Sequence, residues 1–225
     1  MTDLWKVDLH CHSWFSRDCW MNPRAIIETA LERGLDKLAI TEHNNVEGAR
    51  LLKRLAPDLI IVGEEIKTTA GEFIAYFVTE EVPKGLSPEE TLARLRAQGA
   101  VISIPHPADS FRRSALGEVN TQRFVDQVDA IEVFNARCLY RDDNDAALSL
   151  ARRYGKLITA GSDAHTIGEI GRGYLLMPPF SDDRPAFMRS LSAAEAVGVP
   201  SGLWPHFAST YAKWAKRVTG FKPPA

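Results

Sequence analysis

Short apolar runs rich in β-branched residues alternate with longer amphipathic stretches along most of the chain. The apolar runs have the length and side-chain type of β-strands. The candidate strands are Trp5–His10, Lys37–Thr41, Leu59–Gly63, Glu72–Val78, Ala100–Ile104, Ala130–Phe134, Leu157–Ala160 and Gly173–Met177. This regular alternation predicts an α/β fold.

Three of the amphipathic stretches stop at a glycine, as helices commonly do. Two of them carry proline in the first turn, and one of these two starts with a capping box. The predicted helices are Pro23–Arg33 before Gly34, the segment from Ser87 to Gly99, and Asn144–Arg153 before Gly155.

Alternating strands and helices favour a mainly parallel sheet with right-handed crossovers. Eight candidate strands lie within about 180 residues, which favours a closed barrel with its chemistry at the carboxyl ends of the strands. The connection between Leu59–Gly63 and Glu72–Val78 is too short for a helix, so one unit should be irregular. The segment from Trp204 to Ala225 is predicted to form a helix and tail that pack on the barrel, which makes residues 1–225 a single domain.

Composition narrows the class of protein. The 225 residues are 45% hydrophobic and 25% charged, which is typical of globular proteins. A net charge of −2 argues against a large nucleic-acid-binding surface. We expect no membrane segment, because no apolar run approaches about 18 residues. The start of the chain lacks a signal-peptide pattern. Three cysteines without CxxC spacing favour a reducing, cytoplasmic location.

Five of the six histidines lie at or just after the ends of candidate strands. They are His10, His12, His43, His106 and His165. A single histidine is more often a core or surface residue than a ligand. Four segments with the same layout, a strand followed by potential ligands, instead predict a metalloenzyme with several ions.

Residue spacing supports this interpretation. Positions i and i+2 of a strand share a face, so His10 and His12 can bind one ion. Asp163 and His165 repeat this spacing, and one of the two glutamates after Gly63 can reach the same place. Imidazole with carboxylate suits Zn²⁺, Mn²⁺ or Fe²⁺. Asp8 shares the face of His10 and is predicted to bond its imidazole N–H from the second shell.

Taken together, these segments resemble the PHP (polymerase and histidinol phosphatase) family, and in particular its small stand-alone members described as metal-dependent phosphoesterases. The motifs that carry the resemblance lie within residues 7–180. They are His10-Cys11-His12-Ser13, Thr41-Glu42-His43-Asn44, Gly63-Glu64-Glu65-Ile66, Pro105-His106-Pro107 and Gly161-Ser162-Asp163-Ala164-His165. The resemblance implies a distorted (β/α)7 TIM-like barrel with a trinuclear metal site.

The resemblance also implies which residues bind each ion. The first ion would be bound by His10, His12, Glu65 and Asp163, with Glu65 bridging to the second. The second would also be bound by Glu72 and His106, and the third by Asp18, His43 and His165.

The chain departs from the family pattern at three positions. Glu72 stands where many relatives have histidine, and Glu42 where aspartate is usual. Ser16-Arg17-Asp18 replaces the usual Ser-Asp-Gly. We expect the side chain of Glu42 to point away from His43 and to affect the site little.

Charge favours a phosphorylated substrate. Three divalent ions exceed the four carboxylate ligands by two positive charges, which would concentrate a dianionic phosphomonoester. Clustered ions also lower the pKa of a bound water to about 7, so a metal-bound hydroxide can attack without a protein nucleophile. Arg137, just beyond the strand Ala130–Phe134, and Arg112, beyond His106, are the candidate phosphate-binding residues.

The sequence therefore predicts a phosphoesterase that hydrolyses a small phosphomonoester with three Zn²⁺, Mn²⁺ or Fe²⁺ ions. One alternative is a 5′-to-3′ exonuclease or nucleotide phosphatase acting on short oligonucleotides. Another is an amidohydrolase-type C–N hydrolase, for which Lys67 is the only lysine near a suitable strand end. A third is a barrel that keeps its metals as a structural core and binds partners. Substrate and oligomeric state stay open.

Overall fold

The computed structural model describes residues 4–224, which form a nine-stranded sheet with seven α-helices. The strands are β1 (Trp5–Cys11), β2 (Lys37–His43), β3 (Ile60–Lys67), β4 (Glu72–Tyr76), β5 (Val101–Ile104), β6 (Ala130–Asn135), β7 (Leu157–Gly161), β8 (Gly173–Met177) and β9 (Glu195–Gly198). All eight predicted strands are present, and β9 is an additional one. Residues 1–3 and 225, which the predicted domain includes, lie outside the described residues.

The helices fill most of the connections between strands. They are α1 (Pro23–Glu32), α2 (Glu47–Leu55), α3 (Pro88–Ala97), α4 (Gly117–Phe124), α5 (Arg141–Arg153), α6 (Arg184–Leu191) and α7 (Trp204–Thr219). The three helices predicted from amphipathic stretches correspond to α1, α3 and α5, and the predicted C-terminal helix corresponds to α7. The predicted cap Ser87 accepts the backbone N–H of Glu90 in α3, and Asn22, which was not predicted as a cap, accepts that of Arg24 in α1.

Strands β1 to β7 lie side by side in chain order and curl into an almost closed barrel. The ring is joined where Cys11, the last residue of β1, forms a parallel bridge with Ala164, just beyond the end of β7. Two backbone hydrogen bonds support this junction, from His12 N to Ala164 O at 3.1 Å and from Asp163 N to His10 O at 2.7 Å. The predicted distorted seven-stranded barrel is confirmed.

The prediction of a mainly parallel sheet is wrong in detail. Strand pairs β1–β2, β2–β3, β5–β6 and β6–β7 are parallel, whereas β3–β4, β4–β5, β1–β8 and β8–β9 are antiparallel. The reason is the short connection over residues 68–71. A parallel crossover needs a dozen or more residues, so β4 must run back along β3.

The third strand extends further than its apolar run predicts. The predicted strand ends at Gly63, but β3 continues to Lys67 and pairs with both β2 and β4. The two glutamates are buried on opposite faces of this central strand. The polar pair Glu64-Glu65 therefore continues the strand into the candidate site and does not end it.

The hydrophobic core fills the barrel below the end that carries the histidines. Its interior cluster takes at least one buried residue from each of β1 to β8, including Leu9, Ile61 and Tyr76. Phe187 and Leu191 of α6 join the same cluster. Separate clusters pack α1 and α2 against β1–β3, and α3 against β3–β5. This two-sided packing fixes the strand ends that position the candidate ligands.

The C-terminal helix lies across the loop that follows β1. Lys216 of α7 is buried, and its Nζ donates to the carbonyl oxygens of Trp14 and Ser16 at 2.7 and 2.8 Å. Between residues 4 and 224, no helix combines the length and the apolar character that crossing a membrane requires.

Candidate metal centre

The predicted ligands meet at one end of the barrel. The parallel strands present their carboxyl ends there, and the reversed β4 presents its first residue. The ligand positions are His10 in β1 with His12 just after it, Asp18 before α1, His43 at the end of β2, Glu65 in β3, Glu72 opening β4, His106 after β5, and Asp163 and His165 after β7. All are buried except Asp18 and His43, which are half-buried.

The first group joins His10, His12 and Asp163, whose potential ligand atoms lie within 4.8 Å of one another. The two Nε2 atoms are 3.1 Å apart, and Asp163 Oδ1 is 3.5 Å from His10 Nε2 and 3.3 Å from His12 Nε2. Glu65 Oε2 is 3.7 and 3.6 Å from the same nitrogens. Two imidazoles and two carboxylates thus face a common point.

The second group shares Glu65 with the first. Its Oε1 atom lies 3.2 Å from His106 Nε2, and the potential ligand atoms of His10, Glu65 and His106 lie within 4.8 Å of one another. Glu72 lines the adjoining cavity. Burial and the negative charge of Glu65 raise the pKa of Glu72. This effect indicates that the two carboxylates lie near each other.

The third group brings together residues that are far apart in the sequence. Asp18 Oδ1 lies 3.4 Å from His43 Nε2 and 3.5 Å from His165 Nε2. The ring of His12 lies 4.3 Å, centroid to centroid, from the rings of both histidines. Eight of the nine predicted ligands therefore form one continuous cluster in which His12 and Glu65 adjoin more than one group, and Glu72 lines the adjoining cavity.

Two of these residues have unusual backbone conformations. His106 has φ of 29° and Asp163 has φ of 52°, which non-glycine residues rarely adopt. Each backbone N–H is held in place, that of His106 by Glu132 Oε2 at 2.8 Å and that of Asp163 by the carbonyl of His10 at 2.7 Å. Strain of this kind persists only where surrounding contacts enforce it, and it is concentrated at functional sites.

Glu132 and Ser16, to which the sequence analysis gave no role, orient the imidazoles of His10 and His12, and Ser16 also holds the backbone of His43. His10 Nδ1 donates to Glu132 Oε1 at 2.9 Å, which turns Nε2 towards the cluster. The Oγ atom of Ser16 lies 3.2 Å from His12 Nδ1 and accepts the backbone N–H of His43 at 3.0 Å. Such contacts select the ring nitrogen that is left for a metal ion.

The predicted contact of Asp8 with an imidazole is wrong. Its carboxylate instead accepts backbone N–H groups from His10, Ser162 and Gly171 at 3.2, 2.9 and 2.9 Å. Asp8 and His10 do share a strand face, but the Nδ1 atom of His10 points across the barrel to β6. Asp8 therefore links β1 to Ser162 and Gly171, which follow β7. Glu132, and not Asp8, accepts the imidazole N–H of His10.

The unpaired polar atoms test whether the cluster suits metal ions. Within residues 4–224, Asp18 Oδ1, Glu65 Oε2 and Asp163 Oδ1 are buried without a well-aligned hydrogen bond, and each lies within 3.5 Å of an imidazole nitrogen of the cluster. Buried carboxylates are costly unless they are paired with a cation. All three belong to predicted ligands. The donor set therefore fits divalent cations, which would replace the imidazole protons beside these oxygens.

The electrostatics of the cluster support the same conclusion. Burial disfavours charge on Glu65, but the positive charges of His43 and His10 outweigh it and hold the pKa of Glu65 well below its usual range. Burial likewise opposes protonation of His10, yet Asp163, Glu132 and Glu65 raise its pKa well above the usual value. In the ion-free protein, imidazolium groups thus balance the carboxylates, and metal binding would displace those protons.

The two predicted phosphate-binding arginines lie in different surroundings. Arg112 reaches the cluster, with Nη1 donating to Asp163 Oδ2 at 2.7 Å. Arg137 is buried and turns to α7, where Nη2 donates to Ser209 Oγ at 2.8 Å and to Pro205 O at 3.4 Å. Its Nε and Nη1 atoms have no hydrogen-bond partner within the described chain. Both arginines line a cavity of about 370 Å³ that opens above the cluster.

A wider groove of about 970 Å³ leads away from this cavity, with His43 and Glu72 at its inner end. Basic and aromatic side chains line it, and these are Arg17, Lys67, Lys84, Lys213, Lys216 and Arg217, with Trp14, Phe15 and Phe221. Although the whole chain carries a slight negative charge, the approach to the cluster is locally basic.

Comparisons with known proteins show which family this chain belongs to. The family model described as "PHP domain" matches residues 8–97, and the one described as "PHP-associated" matches residues 141–196. An uncharacterized protein of Methanocaldococcus jannaschii is 40% identical over 183 residues, which are 80% of this chain and 73% of that protein. This chain belongs to the PHP family. A second uncharacterized protein of the same organism is 38% identical over 145 residues, 58% of this chain and 82% of that protein.

A solved PHP-like structure supports the fold. It is a two-domain protein from Bacteroides vulgatus described as containing a predicted PHP-like metal-dependent phosphoesterase. It superposes with a TM-score of 0.73 at 21% sequence identity, over 88% of this chain and 66% of that one. The shared feature is the distorted barrel.

Glu42, where this PHP chain departs from the usual aspartate, points away from the cluster as expected. Its carboxylate accepts the backbone N–H of Ser13 at 3.1 Å and the hydroxyl groups of Ser13 and Ser16. Ser16 in turn contacts His12 and His43. Glu42 therefore acts on the ligands indirectly, by fixing the loop that follows β1.

Proposed function

We propose that this protein is a metal-dependent phosphoesterase that hydrolyses a small phosphomonoester. The observation that carries the proposal is the convergence of seven buried or half-buried potential ligands in three overlapping groups, which Asp18 joins through His43 and His165. Buried charges of this kind are normally paired or bound to metal.

Three divalent ions match the three groups of ligands. His10, His12, Glu65 and Asp163 would bind the first; Glu65, Glu72 and His106 the second; and Asp18, His43 and His165 the third. Imidazole and carboxylate ligands suit Zn²⁺, Mn²⁺ or Fe²⁺. When bound, such ions polarise a phosphate ester and make water a stronger nucleophile near neutral pH.

The protein's own side chains supply orientation and charge. Arg112 is the better placed phosphate ligand, because its guanidinium already contacts the carboxylate of Asp163 at the cavity wall. A planar guanidinium can hold two phosphate oxygens at once. Arg137 would contribute from the α7 side of the same cavity, where its Nη1 atom makes no hydrogen bond among the described residues and its Nε atom lies 3.8 Å from Glu169 Oε1.

A second candidate substrate is a short oligonucleotide. The basic and aromatic lining of the 970 Å³ groove favours it, because cations that follow a phosphate backbone and rings that stack on bases are typical of single-strand binding. A C–N hydrolase has less support. Lys67, the residue that would have to act as bridging lysine, is exposed at the rim.

A substrate panel tests these proposals. The Mn²⁺-loaded protein would be assayed with nucleotides, sugar phosphates, histidinol phosphate and p-nitrophenyl phosphate, beside a phosphodiester, a 5′-phosphorylated oligonucleotide and an amide. We expect phosphate release from monoesters and loss of activity after chelation. Mononucleotide release from the oligonucleotide would favour the second candidate. Amide hydrolysis without phosphate release would contradict both.

A further inference from the structure

Helix α7 carries a row of large apolar side chains that face solvent. They are Trp204, Phe207, Tyr211, Trp214 and Val218, between 60 and 77% exposed. Their spacing alternates between three and four residues, which is the repeat that places side chains in a single row along a helix. An apolar row of this length on a soluble protein marks an interaction surface.

The row is separate from the side of α7 that touches the barrel. The helix is buried at Pro205, Ala212 and Lys216, and these positions project roughly opposite the row at about 100° per residue. Lys213 and Arg217 lie between the two faces and line the basic groove. The aromatic row is therefore not needed to hold α7 in place.

A cleft runs beside the row. It has a volume of about 750 Å³ and is lined mainly by apolar side chains. One wall comes from Trp20, Met21, Ala25 and Ile167 together with Asn22, His165 and Thr166, and the opposite wall comes from α7. The surface thus presents protruding rings and an apolar depression next to each other.

The exposed area is sufficient for a stable dimer. At about 200 Å² for each aromatic side chain, the exposed parts of the four rings amount to roughly 500 Å². Leu203, Val218 and the cleft add to this area on each chain. Two copies meeting through this face would bury more than about 1,000 Å² in total, the lower bound for a specific interface.

We propose that a second copy of this chain covers the face, with the two α7 helices packed antiparallel about a twofold axis. A surface with both ring and cleft is self-complementary, as a twofold interface requires. The sequence of α7 contains Lys213, Lys216 and Arg217 near its C-terminus and no acidic residue. Parallel packing would bring these cations together, whereas antiparallel packing separates them.

An anionic membrane is a poorer occupant. A helix that binds lipid surfaces has cations flanking its apolar face, where they meet the headgroups. Here the cations Lys213 and Arg217 flank the row on one side only, where they line the groove that leads to the metal centre, and the other side carries Ala208 and Ala215. The dimer does not depend on the proposed phosphoesterase activity, so the two can be tested separately.

Sedimentation velocity of the full, Mn²⁺-loaded chain tests the proposal. At micromolar concentration the wild type should sediment with the mass of two chains. Phe207→Glu combined with Trp214→Glu should raise the dissociation constant at least about 100-fold and give monomers, because charges would be buried at the centre of the interface. Val119→Glu, which alters an exposed apolar residue on α4, is the matched control and should stay dimeric.

Circular dichroism and metal content should match in all three proteins, which separates loss of assembly from loss of folding. Monomeric wild type at these concentrations would overturn the proposal. A dimer that survives the double substitution would do the same. Binding of monomers to vesicles of phosphatidylcholine and phosphatidylglycerol, abolished by the double substitution, would also overturn it and assign the face to a lipid surface.

Discussion

Glu64 and Glu65 are neighbours in β3, but strand alternation turns their carboxylates to opposite faces. Glu65 points into the metal centre, where its oxygens lie 2.7 Å from His43 Nδ1 and 3.2 Å from His106 Nε2. Glu64 points outward and accepts the backbone N–H of Val82 at 3.0 Å. Burial raises the pKa of Glu64 to about 8, so this side chain is mostly neutral near pH 7.

The pair offers a controlled substitution. Glu65→Gln keeps the shape but removes the charge between two groups of ligands, and we expect turnover of p-nitrophenyl phosphate to fall by at least about 100-fold with loss of bound metal. Glu64→Gln replaces a largely neutral carboxyl with an isosteric amide and should change turnover less than about threefold. Steady-state kinetics with elemental analysis would check both. Equal activity of Glu65→Gln and wild type, with unchanged metal content, would show that the assignment is wrong.

Glu132 is a positioning residue rather than a ligand in this account. It bonds the imidazole of His10, the backbone of His106 and the side chain of Asn135. In Glu132→Gln the amide nitrogen must face one of these donors, so at least one contact is lost. We expect metal affinity to fall about 10- to 100-fold. Competition with a chelator would measure it, with Glu64→Gln as the buried control. Unchanged affinity would mean that Glu132 only supports the barrel.

The sequence was sufficient to predict residues whose type and spacing are specific to metal binding, such as His10 and His12. It was insufficient for Glu132, because a single carboxylate within the strand Ile131-Glu132-Val133 has no distinctive spacing. An acidic residue at a buried strand position was the available signal. The sequence could not predict that Arg112 and Arg137 lie in different surroundings, because loop geometry decides where a long side chain points.

At the scale of elements, the barrel closes through a close approach of β1 and β7. A β-carbon on Gly161 would collide with the backbone and Cβ of His10. Gly161 also lies next to Gly173 of β8, whose added β-carbon would meet the carbonyl of Gly161. The glycines therefore let the strands come near enough for Asp163 to bond the backbone of His10.

Gly161→Ala should disrupt this junction. Overpacking a rigid contact commonly costs about 1–3 kcal/mol, which would lower the melting temperature by up to about 10 °C in a domain of this size. Gly168→Ala is the matched control, because a β-carbon there meets no atom within 4 Å. Thermal unfolding followed by circular dichroism checks the difference. If the two variants melt together, the close approach does not support the barrel.

The elements that sequence patterns missed have identifiable causes. Helices α2 and α4 begin after Val46 and Leu116, which provide no side-chain cap, so the usual start signal is absent. Helix α6 was missed although it has a start signal: Asp183 accepts the N–H of Ala186 at 2.8 Å, and Pro185 follows in the first turn. The sequence predicted one irregular unit but not the reversed direction of β4 and β8, because strand direction depends on how the sheet closes.

At the scale of the whole molecule, α7 connects the metal centre to the proposed dimer face. Lys216 holds the loop after β1, which carries Asp18, and Arg137 links the loop after β6 to Ser209. The aromatic row lies on the outer side of the same helix. In the proposed dimer the basic groove, which lies on a different side of α7, would stay open to solvent.

The central claim is that three bound ions support phosphomonoester hydrolysis. Its most direct test is to titrate Mn²⁺ into chelator-treated protein and to measure metal content and phosphate release from p-nitrophenyl phosphate on the same samples. Nine potential ligands are about three times the number in one catalytic zinc site, so binding should saturate near three ions per chain, with activity rising as the sites fill. Saturation at one ion or none, or phosphate release that is unaffected by chelation, would contradict the account.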